Sequence, residues 1–228
     1  MSVIKMENVI KNYHAGKIEV PAIRGVNFTI EKGEFTAIAG PSGSGKSTLL
    51  NLCGCLDKPT SGKVYIEDHD IVTLSPDQLA DVRNQHIGFI FQSFNLIPVL
   101  TAFENVEFPL ILQKNYSTAQ RKAKVMNMLE SVGIDELANR RPAEMSGGQQ
   151  QRVAIARALV KKPDYVLADE PTANLDTKTG HDILGLMKDL NETIKTTFIF
   201  STHDPKVMEM ANRLIKIRDG KVEEDVRQ

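Results

Sequence analysis

The sequence predicts an α/β fold: a mainly parallel sheet covered by helices on both faces, with an antiparallel β side sheet and an inserted helical subdomain. Three observations predict it. In the second half of the chain, short apolar runs alternate with helix-length amphipathic stretches, the order expected of parallel strands joined by crossover helices. The beginning of the chain instead carries short alternating strands separated by glycine-containing turns. Between Ala102 and about Asn139 the pattern is helical alone. With 228 residues, 41% hydrophobic and 25% charged, the chain is long enough to bury a sizeable core.

Element by element, Val3–Val9 and Val26–Ile30 read as strands, followed by Glu34–Ala39 and Lys63–Ile66, with turns at Glu31–Gly33 and Thr60–Gly62. Ser75-Pro-Asp-Gln78 has the form of an N-cap and first turn for a helix to about Asn84, and Ile87–Phe91 is a further strand. Within the helical stretch, Ser117-Thr-Ala-Gln120 fits a capping box, and Ala119, Ala123, Met126, Leu129 and Val132 recur at helical spacing. Helices are expected over Gly148–Lys161, Lys178–Thr193 and Asp204–Met210, and strands over Tyr165–Ala168, Thr197–Ser201 and Leu214–Ile217. Asp219-Gly220 turns into a last short strand.

Gly40-Pro-Ser42-Gly43-Ser44-Gly45-Lys46-Ser47-Thr48 lies between the apolar run Phe35–Ala39 and the helix-like Leu49–Leu52. A triphosphate concentrates negative charge in a small volume, so its site needs many short-range donors and no side-chain bulk against the backbone. Gly40, Gly43 and Gly45 remove that bulk. The amides of Gly43 to Thr48 can turn inward, Lys46 can reach the outer phosphates, and the Ser47 hydroxyl can ligate Mg²⁺. A P-loop between a strand and a helix is the expected reading.

Tyr165-Val-Leu-Ala-Asp169-Glu170 is an apolar strand ending in two acids. Asp169 is placed to hold Mg²⁺ or its water shell, while Glu170, one residue on, can accept a proton from an attacking water. Met145-Ser146-Gly147-Gly148-Gln149 then sets a serine and two glycines at a helix start. Ser146 can cap that helix, and its exposed amides can bind a phosphate. One cradle and two phosphate-seeking elements suggest that the second faces the nucleotide of another subunit. A plain capped helix is the competing reading.

Together these motifs resemble the nucleotide-binding subunit of ATP-binding cassette transporters over essentially the whole chain. Leu-Ser-Gly-Gly-Gln of that family stands here as Met145–Gln149, a conservative change at its first position. The resemblance implies a single domain over residues 1–228, with residues 1–92 and 146–228 forming the catalytic core and about 93–145 the helical subdomain. It assigns Tyr13 to adenine stacking, Gln92 to sensing Mg²⁺ and water, Ala173-Asn-Leu-Asp176 to the dimer interface, and His203 to the γ-phosphate. Two copies would close head to tail around two ATP molecules, each between one cradle and Ser146, Gly147, Gly148 and Gln149 of the other copy. Singly, Tyr13 also reads as an exposed loop aromatic, Gln92 as a strand-end polar residue and Asp176 as an N-cap. His14, His69, His86 and His181 read as surface or structural residues, and Cys53 and Cys55, two apart on the cradle helix, as buried packing residues pointing to different faces.

Gln92–Pro98, Thr101–Val106 and Cys55–Gly62 resemble the lipoprotein-releasing and macrolide-exporter group most closely. No run approaches the roughly 18 apolar residues of a spanning helix, and the N-terminus has no signal-peptide pattern, so a cytoplasmic chain working through separate transmembrane permease subunits is expected. Phe94, Leu96 and Ile97 read either as the groove for a partner helix or as packing of the helical subdomain. The resemblance also admits a regulatory ATPase of a cell-division membrane complex and a soluble, non-transport ATPase. A formal net charge of −1, with no tandem second cassette, argues against a nucleic-acid partner.

Overall fold

The computed structural model describes residues 1–16, 18–113 and 115–228. Its sheets have different characters. Strands β1 (Ser2–Ala15), β2 (Ile18–Glu31), β4 (Ser61–Ile66) and β5 (His69–Asp70) form an antiparallel sheet in the order β2-β1-β4-β5. β3 (Phe35–Ala39), β6 (Ile87–Ile90), β7 (Tyr165–Asp169), β8 (Thr197–Thr202), β9 (Arg213–Arg218) and β10 (Lys221–Arg227) form the other, ordered β10-β9-β3-β8-β7-β6. Every pair in it is parallel except β10 with β9, a hairpin whose turn residues Asp219 and Gly220 both have positive φ. The expected parallel core and antiparallel side sheet are both present.

The first hairpin is longer than its apolar alternation indicates, because β1 and β2 pair from Ser2–Glu31 to Ala15–Ile18, through exposed residues such as Tyr13, His14 and Val20. Register shifts along it absorb the breaks in alternation that shorten the sequence reading.

Period-two alternation sorts the parallel strands onto two faces. Phe35, Val166, Ala168, Phe198 and Phe200 pack with Val153, Ile155 and Leu159 of α5 (Gly147–Leu159) and with Ile183, Leu184 and Met187 of α6 (Thr177–Ile194). Ile38, Leu167 and Ile199 instead pack with Leu49 and Leu52 of α1 (Lys46–Cys53) and with the side sheet. The cradle helix and α5 therefore cover opposite faces of one sheet. Tyr165, fully buried, donates its hydroxyl to the Cys53 carbonyl at 2.6 Å and ties β7 to the end of α1.

The remaining helices are α2 (Pro76–His86), α3 (Ala102–Gln113), α4 (Thr118–Ser131) and α7 (Pro205–Met210), with 3₁₀ turns at Asp135–Leu137 and Pro142–Glu144. Ser117 and Gln120 form the expected capping box, the Ser117 Oγ accepting from the Gln120 amide at 3.3 Å and the Gln120 side chain accepting in return at 2.9 Å. Of the residues at helical spacing, Leu129 and Val132 face the core with Val125, and Met126 packs beside them, whereas Ala119 and Ala123 are exposed. A bulkier side chain captures more apolar area, so the i, i+4, i+7 row of branched residues wins over the alanines.

Cys55 is not on the cradle helix. α1 ends at Cys53, and Cys55 follows with φ 53°, so the two thiols, both fully buried, enter the same core cluster. Burial pushes both thiols up, that of Cys55 to about 11, and they are inert packing residues.

Candidate nucleotide site

The carboxyl end of β3 opens into the glycine-rich loop. A side chain at Gly40 would place its Cβ 2.2 Å from the Ile217 carbonyl oxygen, so the loop can leave the sheet there only without one. Gly43 and Gly45 have φ 78° and 107°, the left-handed region that turns successive amides to one side. Gly45 is the N-cap of α1 and supplies no side-chain hydrogen bond, which leaves the first-turn amides uncapped at the positive end of the helix. Lys46, 8% exposed, lays its ammonium group against the carbonyls of Gly40 and Pro41 at 2.8 and 3.0 Å, inside the loop. The buried Ser44 Oγ has no hydrogen-bond partner, Ser42 and Ser47 are exposed, and Thr48 is half-buried. Uncapped amides, an enclosed ammonium and a Cβ-free wall together make a cradle for a polyanion.

β8 and β7 lie beside β3, strand by strand, so their carboxyl ends emerge within about 10 Å of the loop. Asp169 pairs in register with Ser201 and is half-buried. Burial raises its carboxyl above the ordinary value, the neighbouring Glu170 charge adds to this, and Lys46 opposes it. Glu170 follows with φ 46°, a left-handed turn that swings it away from the strand direction, and its amide donates to the Ser201 carbonyl at 3.0 Å. Its Oε1 lies 2.6 Å from His203 Nδ1. The carboxylate is only 16% exposed while the imidazole is 68% exposed. The two acids and the histidine thus meet at one sheet edge beside the cradle.

Ser146 caps α5 in a full capping box: its Oγ accepts from the Gln149 amide at 3.3 Å, and the Gln149 side chain accepts from the Ser146 amide at 2.9 Å. The glycines serve internal packing as well as access. A Cβ on Gly148 would stand 2.5 Å from Thr179 Cγ2, and one on Gly147 would stand 3.3 Å from Leu175 Cδ2. Asp176 caps α6, its Oδ1 accepting from the amides of Lys178 and Thr179 at 3.1 and 3.0 Å, and its carboxyl pKa is lowered first by the Thr179 side chain and then by these amides.

Tyr13 sits on β1 opposite Val20, 39% exposed, with its hydroxyl donating to Asp57 Oδ2 at 3.1 Å and the Lys11 ammonium 5.0 Å from the ring centroid. It is a strand residue, not a loop residue. Gln92 is exposed after β6 and is paired with Asn174: the Asn174 amide group donates to the Gln92 carbonyl at 3.0 Å. Phe94, Leu96 and Ile97 are half-buried, and Leu96 packs on the core shared with α5. Of the other histidines, His86 lies 2.7 Å from Asp164 and His69 2.8 Å from the Glu67 carbonyl, structural contacts remote from the cradle.

A family model described as ABC transporter matches residues 23–173. The chain belongs to this family. The cassette is an ATPase, and the fold agrees with a solved relative: it superposes with a TM-score of 0.90 on the dimeric post-hydrolysis structure of the ATP-binding cassette MJ0796 bound to ADP and Pi, 48% identical, over 98% of each chain. That relative is from Methanocaldococcus jannaschii. The lipoprotein-releasing system ATP-binding protein LolD of Anaeromyxobacter dehalogenans is 43% identical, over 97% of this cassette and 93% of its own length. The macrolide export ATP-binding/permease protein MacB of Syntrophobacter fumaroxidans is 45% identical over 98% of the cassette, which spans 31% of that longer protein.

Two partners escaped the sequence reading. Asn174, inside the Ala173–Asp176 segment, holds Gln92, and a contact across 82 positions leaves no local trace. Gln151 is fully buried on α5 and donates to the Pro171 carbonyl at 2.7 Å. Its signal was available: a polar residue at a core-facing position of an otherwise apolar helix seam.

Proposed function

We propose that two copies of this cassette close head to tail around two ATP molecules and that hydrolysis reopens them, driving separate transmembrane permease subunits of the lipoprotein-releasing or macrolide-exporting kind. The observation that carries the reading is the placement of α1 and α5 on opposite faces of one sheet. Both helices present glycine-lined N-termini suited to phosphate, yet within one chain they cannot converge on one nucleotide. A second copy supplies the missing half of each site.

In this reading Tyr13 stacks on adenine, while Gly40, Ser42, Gly43, Ser44, Gly45, Lys46, Ser47 and Thr48 hold the phosphates. Ser146, Gly147, Gly148 and Gln149 close over them from the partner copy, with Asp176 at the shared interface. Glu170 takes the proton of the attacking water, Lys46 offsets charge on the outer phosphates, and His203 holds the γ-phosphate. Ser47, Gln92 and Asp169 would hold Mg²⁺, with phosphate oxygens and water completing its shell, and the ion would neutralise charge developing between the β- and γ-phosphates. The fit is chemical: hard oxygen donors beside a polyanion cradle suit this ion. Among the described residues no helix is long and apolar enough to cross a membrane, so a transport path would have to come from other subunits, which would hold the cassette on the inner face of the cell membrane. The lipoprotein and macrolide classes of cargo are those of the relatives LolD and MacB.

The test is size-exclusion chromatography of Glu170→Gln with ATP and Mg²⁺. An ATP-dependent dimer is expected, and adding Ser146→Arg should return it to monomer while nucleotide titration shows unchanged ATP affinity. A Glu170→Gln chain that stays monomeric, or loss of ATP affinity with Ser146→Arg, would overturn the reading.

A further inference from the structure

The turn bearing Glu170 is not held by its own strand alone. Glu170 has φ 46°, Pro171 after it has no amide hydrogen to donate, and the turn closes through the Ala173 amide on the Glu170 carbonyl at 3.1 Å. The Pro171 carbonyl, at the centre of this turn, accepts a hydrogen bond of 2.7 Å from Gln151 Nε2. Gln151 lies on α5, five residues beyond the cap Ser146, and is 0% exposed. At about 1.5 Å of rise per residue, roughly 7–8 Å of rigid helix separates it from the cap.

The other end of the Gln151 amide is equally informative. Its Oε1 is buried with no hydrogen-bond partner. A buried acceptor left unmade costs stability, and an apolar residue of the same length would avoid that cost at this otherwise apolar position. Packing therefore gives no reason for glutamine here; the Nε2 bond to Pro171 does.

We infer that Gln151 is a positioning residue that couples the two ATP sites of the dimer. The inference rests on the head-to-tail reading above. In that arrangement Ser146 of one copy touches the nucleotide in its partner's cradle, whereas Glu170 of the same copy acts on the nucleotide in its own. Gln151 joins these elements within one chain by a single buried hydrogen bond. Closure of Ser146 on one ATP shifts α5, and the bond carries that shift to the turn that aims Glu170 at the other.

Gln151→Met preserves length and apolar volume while removing the donor and the orphaned acceptor together. Steady-state phosphate release against ATP concentration, thermal unfolding and nucleotide titration are measured on the full chain, with Gln151→Leu as a second isostere. The variant exchanges one orphaned acceptor, Gln151 Oε1, for another, the Pro171 carbonyl, so it is expected to unfold close to the wild-type temperature and to bind ATP at the cradle unchanged. Its kcat should fall about tenfold, and a cooperative wild-type Hill coefficient should drop to one. Unchanged kcat and cooperativity in Gln151→Met would overturn the role of Gln151 alone. So would a kcat loss matched by a lower unfolding temperature, or failure of both isosteres to fold, since either makes the bond structural. A wild-type chain without cooperativity, together with a Glu170→Gln chain that does not dimerise, would instead overturn the parent reading.

Discussion

Glu170 Oε1 and His203 Nδ1 lie 2.6 Å apart, joining the end of β7 to the end of β8 at the sheet edge beside the cradle. The contact occupies the Nδ1 side of the ring and leaves Nε2 for a second partner. The more buried acid is thus oriented by the more exposed histidine, and a ligand reaching Nε2 acts on the same ring that aims Glu170.

Replacing His203 by Ala removes both that orientation and the proposed γ-phosphate contact. The kcat for phosphate release should fall by about 10²–10⁴, while ATP titration should show cradle binding intact, because Lys46 and the loop amides are untouched. Turnover at the wild-type rate would remove His203 from the site.

Gly148→Ala tests the internal role of the second signature glycine. The new methyl would meet Thr179 Cγ2 at 2.5 Å, so either the Thr179 side chain must turn or the start of α5 must move off α6. A stability loss of about 1–3 kcal/mol is expected from urea unfolding. Thr179→Ser deletes the colliding methyl and keeps the amide that Asp176 caps, so the double variant should recover most of the loss. No recovery would mean that the clash is relieved elsewhere.

Asp164 carries the acid sensitivity of the opposite edge. Burial opposes its ionisation, but hydrogen bonds from His86 at 2.7 Å and Lys32 at 3.0 Å outweigh it and hold its carboxyl below the ordinary value. A carboxyl whose folded pKa is depressed contributes stability above its unfolded value of about 3.9 and loses it as pH falls through the folded value. Urea unfolding should therefore separate wild type from Asp164→Asn at pH 7, with the gap narrowing once the pH falls below the unfolded value of about 3.9. A gap that persists in acid would assign the effect to shape rather than charge.

Much of this was legible in the chain because its signals are local. Gly40–Thr48 announces itself through spacing, since backbone approach to phosphate demands glycine at fixed offsets. Ser117 with Gln120 and Ser146 with Gln149 form capping boxes across three residues, a distance over which sequence and structure are nearly one. Helical spacing alone fits Ala119 and Ala123 as well as Val125, and only the neighbouring helices choose which of them is buried. Reading Cys55 onto α1 passes over a local stop signal, since Gly54 between the two cysteines is the C-cap at which the helix ends.

The sequence by itself determined the elements, their order and the chemical kind of each motif, because caps, turns and hydrophobic period act within a few residues. Only the tertiary structure decided which motifs meet. It set Glu170 against His203 across 33 positions, Gln92 against Asn174 across 82, and Gln151 against Pro171 across 20. It also put α1 and α5 on opposite faces of the sheet, since strand order and pleat, not proximity along the chain, assign each side chain its neighbours.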